Sequence, residues 1–194
     1  MRRGNLRFDF NWRHPAIRQI AILYAPVMFS LLMDTLIVRT FSYNLASQTG
    51  EGSLGYMNWA TTLIQFPQGL VATAISIAIL PTLAQQAVTH LDDLAPFKNT
   101  LGLGLRLAIT LIVPATVGLF VLATPIVRLL FEHGEFTPTA TGMTALALRL
   151  YLIGLPFAAL DLLLVYAFYA RQDTLTPALI GFMSLVVYMI VAIV

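Results

Sequence analysis

The sequence predicts an all-α, polytopic membrane protein with five transmembrane helices. Three observations carry this reading. Hydrophobic residues make up 58% of the 194 positions and charged residues only 10%, whereas a soluble domain carries about a quarter charged residues. The mean hydropathy is +0.82. The apolar runs reach the length of about 20 helical residues that a bilayer needs, and they lack the period of two that strands would show.

The chain opens on a polar, arginine-rich segment over 1–16, read as cytoplasmic, with a single membrane domain over 17–194. The first span covers about 17–41. Asp34 lies deep within it, where an unpaired carboxylate is costly; it must be protonated, hydrogen-bonded or bound to a cation. Arg39 is the cation nearest in sequence, but five helical residues place it about 140° around the helix from Asp34. The flexible loop Gln48–Ser53 follows.

The second span, about 54–83, is the most informative. Two prolines interrupt it, and Asn58, Thr62, Gln65, Gly69, Thr73 and Ser76 recur at offsets of three and four, on one helical face, with Gln68 at its edge. One reading is a polar cavity lining. The other is helix–helix packing, in which small and hydroxyl residues let backbones approach, and Thr73 and Ser76 fit it well. The amides of Gln65 and Gln68 fit the cavity better, because an amide in lipid must find partners. Pro67 cannot donate to the Leu63 carbonyl, which predicts a kink.

The connector Gln85–Thr100 is polar and predicts a short surface helix before Pro96. The third span covers about 101–122. A brief amphipathic piece, about 125–131, is too short to span and reads as an interfacial helix. Glu132, His133 and Glu135 then form a solvated turn, and Thr137 or Thr139 caps the fourth span, about 140–168. That span carries Arg149 and Asp161, twelve residues apart, too far to pair along one helix. Arg149 either faces a central cavity or reaches outward. Thr176 and Pro177 read as cap and first residue of the fifth span, about 176–194. That span is still apolar at Val194, so the chain is read as a piece of a longer protein.

The charge pattern sets the orientation. Eight of the 11 basic residues fall on one side if the N-terminus is inside, leaving Arg39, Arg128 and Arg149 on the other; the positive-inside rule then places the N-terminus in the cytoplasm. Arginines at span ends explain the net charge of +2, with no basic, aromatic-studded patch for nucleic acid. With 0 cysteines, disulfides, thiol catalysis and cysteine metal sites are excluded. His14, His90 and His133 are scattered, which argues against a metal site. No hydrolase, metalloprotease or phosphate-loop motif is present, so an enzyme is not expected.

Three stretches, in order, point to a family. QFPQGLVATAISIAILPTLAQQA, LLFEHGEFTPTAT and YAFYARQDTLTPA resemble the signature segments of the MurJ (MviN) lipid II flippases, in the multidrug/oligosaccharidyl-lipid/polysaccharide exporter (MOP) superfamily. The resemblance runs from about Asn11 onward and matches spans seven to eleven of a fourteen-span, two-lobed fold. The chain would thus form part of one lobe of a MOP-type flippase. It implies transport of the undecaprenyl-linked peptidoglycan precursor across the bacterial inner membrane, for cell-wall synthesis, with that precursor, membrane lipid and the remainder of the flippase as partners. It also implies a substrate cavity carrying Asn58, Thr62, Gln65, Gln68 and Arg149. No cofactor is implied; a monovalent cation is the one coupling species it raises, with Asp34 as the ion-binding residue. Two departures stand out. Thr62 occupies a position where many members carry arginine, and the counterparts of the ion site's further ligands, Tyr188 and Ala192, include an alanine without a side-chain ligand. The alternatives are a non-transporting or degenerate lobe serving as a scaffold, and an exporter of another polyprenyl-linked glycan.

Overall fold

A computed structural model describes residues 15–41, 43–44, 52–89 and 93–193. Most of the basic segment over 1–16 therefore lies outside the described residues. Those described form six helices. Helix α1 is Pro15–Met33, running on through a π-helical stretch, Asp34–Arg39. Helix α2 is Ser53–Thr89, α3 is Ala95–Val121, α4 is Ala123–Phe131, α5 is Pro138–Ala170 and α6 is Leu175–Ile193.

Helices α2, α3 and α5 are each long and apolar enough to cross a membrane; α1 and α6 contain shorter apolar stretches, Ile20–Met33 and Leu175–Val191. All five predicted spans fall on helices. The surface helix expected before Pro96 is not a separate element. Residues up to Thr89 continue α2, and Pro96 lies in the first turn of α3, where its missing N–H leaves no bond unmade.

Helix α5 is the centre of the assembly. It packs on α2, α3 and α4. Its buried positions include Leu148, Leu152, Leu155, Ala159 and Leu163, spaced by three or four so that one face meets its neighbours. Lipid tails are as apolar as leucine, so this face is held mainly by close packing rather than by escape from water. Small residues permit that closeness. A Cβ on Gly104 of α3 would sit 2.7 Å from Ile79 Cδ1 of α2 and 3.3 Å from Leu163 Cδ2 of α5.

Helix α1 packs mainly on α6. Phe41 meets Tyr188 edge-on, ring centroids 6.2 Å apart. Ser30 faces Gly181, whose missing Cβ would lie 3.6 Å from the serine Oγ.

Helix ends follow local chemistry. Thr137 caps α5: its Oγ1 accepts the Ala140 N–H at 3.2 Å. Thr137→Ala is expected to lower stability by about 1 kcal/mol, read as the shift in an unfolding curve in detergent micelles; an unchanged midpoint would remove the cap from the account. At α6 the expectation for Thr176 needs correction. Asp173 does the capping, accepting the Thr176 N–H at 3.0 Å and its hydroxyl at 2.6 Å, because the helix already begins at Leu175. These bonds, led by the Thr176 hydroxyl, hold the Asp173 carboxyl below its ordinary value of 3.8. Its support of this turn is therefore complete above that pH and is lost as pH falls through the lowered value. Melting between pH 6 and pH 3 should show an acid-side loss that Asp173→Asn removes, about the width of one carboxylate titration; equal acid sensitivity in both proteins would refute it.

Candidate functional site

The candidate site is a groove of about 380 Å³ between α2 and α5. Helix α2 contributes Thr61, Gln65 and Gln68, and α5 contributes Tyr151, Gly154 and Ala158. A proline stands beside it on both sides, and on the α2 side the backbone is irregular. Pro67 precedes a π-helical stretch, Gln68–Thr73, and Pro156 lies within α5 between Gly154 and Ala158. Each proline withdraws the N–H that would serve the carbonyl four residues back. Wide turns of this kind recur at functional sites.

The π stretch also corrects the predicted polar face. Its i→i+5 pattern is visible at Ala74, whose backbone N–H reaches the Gly69 carbonyl five residues back, while the Thr73 hydroxyl donates to the Gln68 carbonyl at 3.5 Å. Beyond it the helix is rotated relative to a uniform 3.6-residue projection. Ser76 is consequently fully buried, donating to the Ala72 carbonyl at 2.7 Å. It does not share an exposed face with Asn58, Thr62 and Gln65, which are all exposed.

Of the sequence-predicted residues, the structure brings Gln65 and Gln68 together in the groove. Thr62 is exposed one residue past the groove-lining Thr61, and its hydroxyl donates to the Asn58 carbonyl at 2.9 Å. Asn58 stands about two turns before Gln65, its backbone oxygen also accepting from Thr61 at 2.9 Å. Arg149 points elsewhere. Its Nε donates to the Phe120 carbonyl at 3.3 Å and its Nη2 to Thr124 Oγ1 at 3.1 Å. The guanidinium thus sits on the C-terminal end of α3, where backbone carbonyls and the helix dipole favour a cation. The backbone of Asp34 opens the π stretch of α1, while its side chain lies outside the described residues, as does that of Ala192.

Tyr151, Thr61 and Gly154 are absent from the sequence-based set. The signal for the α5 side was the spacing Tyr151–Gly154–Ala158, an aromatic ring above small residues on one face. A second crevice, of about 430 Å³, lies where α5 meets α1 and α6; Asp161 lines it with Ser30 and Ser184.

The rim near α4 is tightly organised. Trp59 packs on Phe131 at 4.7 Å and Phe131 on Phe136 at 6.1 Å. Glu132 accepts from Thr141 at 2.7 Å and from Arg128 at 3.3 Å. The Thr141 hydroxyl, with help from Arg128, holds the Glu132 carboxyl below its ordinary 4.5. The predicted solvated turn is therefore tied down at Glu132, while His133 and Glu135 are exposed.

The chain is similar to known proteins over nearly its whole length. A family model described as "Lipid II flippase MurJ" matches residues 1–194. "Lipid II flippase MurJ" of Burkholderia cenocepacia is 35% identical over 178 residues, covering 90% of this chain and 33% of that protein. "Probable lipid II flippase MurJ" of Haemophilus influenzae is 36% identical over 186 residues, covering 90% of this chain and 35% of that protein. A solved structure, "Lipid II flippase MurJ, inward closed conformation", superposes with a TM-score of 0.70 at 26% identity, covering 90% of this chain and 36% of that one. The chain thus spans about a third of the length of the curated relatives it matches.

Proposed function

Because the chain belongs to the lipid II flippase MurJ family, we propose that it supplies part of one lobe of a flippase, moving the undecaprenyl-linked peptidoglycan precursor across the bacterial inner membrane. The N-terminus lies in the cytoplasm in this reading, as the arginine distribution favours. The α2–α5 groove forms part of the headgroup path. The observation that carries this is the pair Gln65 and Gln68, two amides facing a groove between helices of membrane-crossing length. Amides at that depth are costly unless they meet a polar partner. A passing headgroup is such a partner, while its lipid tail stays in hydrocarbon. Asn58 and Thr62 extend the polar path along α2, and Arg149 acts on it through the α3–α4 turn. Asp34 remains the residue for a coupling cation.

The test is rescue of a bacterium depleted of its own flippase by the reading frame that encodes this chain. Rescue, lost on Gln65→Leu with Gln68→Leu, is the expected result; growth unaffected by the double substitution would remove the groove from the path. A second reading, a non-transporting scaffold lobe, draws on one observation: no charged residue is among those lining the groove. Failure of rescue despite normal membrane insertion would favour it.

A further inference from the structure

We propose that the α2–α5 groove is a subsite for the uncharged sugar portion of a glycan headgroup and does not receive its phosphates. This deepens the flippase reading and rests on it. The two ligand parts make opposite demands. A phosphate only accepts hydrogen bonds and carries charge, so it is held by arginine, lysine or the free N–H groups of a helix start. A sugar presents a rim of hydroxyls that both donate and accept, and a face of C–H groups that lies well against an aromatic ring.

The groove matches the second set. Gln65 and Gln68 each offer a carbonyl acceptor and two N–H donors. Three residues apart, they neighbour one another on the surface of α2. Neither amide has a hydrogen-bonding partner among the described residues. Tyr151 supplies a ring and a hydroxyl from the opposite helix. Below it, Gly154 has no heavy atom within 4 Å of where its Cβ would stand, so the α5 side of the groove has open room beside the ring. The volume of about 380 Å³ is at the small end of ligand sites, about 300–1,000 Å³.

The first set is missing from the groove. None of its lining residues is charged, and the lining segments of α2 and α5 are helix interiors rather than helix starts. Arg149 is only two residues from Tyr151, but that is about 200° around α5, and its donors go to Phe120 and Thr124.

The experiment uses the 194-residue chain in detergent micelles with two probes, N,N′-diacetylchitobiose and inorganic pyrophosphate. Saturation-transfer NMR should show the disaccharide receiving magnetisation at its ring C–H and acetamido methyl protons. Tyr151→Ala and Gln65→Leu should each weaken binding by about fivefold, the worth of one ordinary contact of this kind. Tyr151→Phe and the variant Gln68→Leu at a half-buried position, both gentle to the fold, separate lost contacts from lost structure: the first should retain transfer to the ring protons and the second should reduce it. The phosphorus line of pyrophosphate should stay sharp. A pyrophosphate line that broadens, and recovers in Gln65→Leu, would overturn the proposal, as would disaccharide transfer equal in all variants. Sugar binding without rescue of flippase-depleted cells would defeat the transport reading and leave the subsite standing. Rescue without sugar binding would defeat the subsite alone.

Discussion

Leu152→Ala is expected to cost about 2–4 kcal/mol of unfolding free energy. Leu152 is fully buried in α5, in one cluster with Leu148, Leu155 and Ala159. In a soluble protein, part of such a loss is the transfer of methyl groups out of water. Here the surroundings of an unfolded helix are lipid or detergent, so that part shrinks. What remains is the cavity: neighbouring helices cannot close fully over the missing atoms, and their dispersion contacts are forfeited. Because α5 touches α2, α3 and α4, the defect weakens several interfaces at once. Unfolding in mixed SDS and mild detergent measures it. Leu150→Ala is the control, since Leu150 is 64% exposed on the same helix; a Leu152 variant no weaker than that control would contradict the central role of α5.

Arg149→Met should cost about 2–3 kcal/mol, the range for hydrogen bonds to a charged group. Methionine fills much of the space but leaves the Phe120 carbonyl and Thr124 without their donor. The end of α3 also loses its cation. The effect should be local. Amide exchange over residues 120–126 should accelerate, while exchange in the middle of α5 should not. Arg149→Lys should recover part of it, because a lysine can reach one acceptor but lacks the guanidinium's fork. Unchanged exchange at the turn would mean that the arginine is held elsewhere. Transport lost with the turn intact would mean that it meets the headgroup directly.

These two residues also show how far the residue pattern could be read. Leu152 was legible as a buried position only in the sense that every apolar residue of a span is. Which leucines face protein and which face lipid depends on neighbours far away in sequence. Apolar residues are spread all round helix α5, so its pattern singles out no one face. Arg149 was visible as an intramembrane charge with two directions open to it, and the end of α3 decides between them. Gln65 and Gln68 were legible because amides are rare in lipid and their spacing is local. Ser76 is buried as its fit to helix–helix packing suggested, but its place on one face with Gln65 was projected with a uniform period, and a change in backbone hydrogen-bond pattern after Pro67 leaves no mark in side-chain spacing. The helix expected before Pro96 failed for a related reason. Polar residues at the end of a long helix look like a connector until the helix is seen to continue past the apolar run. Tyr151 carried too common an aromatic identity to stand out until α2 was placed opposite it.

The wide turn over Gln68–Thr73 gives a single continuous helix two independent azimuths. Its first half aims amides at the groove; its second half aims a serine into its neighbours. Both cannot be satisfied by a uniform helix of this sequence. Forcing the same residues into ordinary α-helix would swing the second half by about 100°, carrying Ser76 out of its packed position and Ile79 away from Gly104, whereas removing one residue from the stretch would let it relax to ordinary α-helix with both halves still in place. The length of this segment is therefore as much a part of its specification as its chemistry. A relative one residue shorter there would keep the same small positions packed with an ordinary α-helix, and one of equal length needs the wide turn.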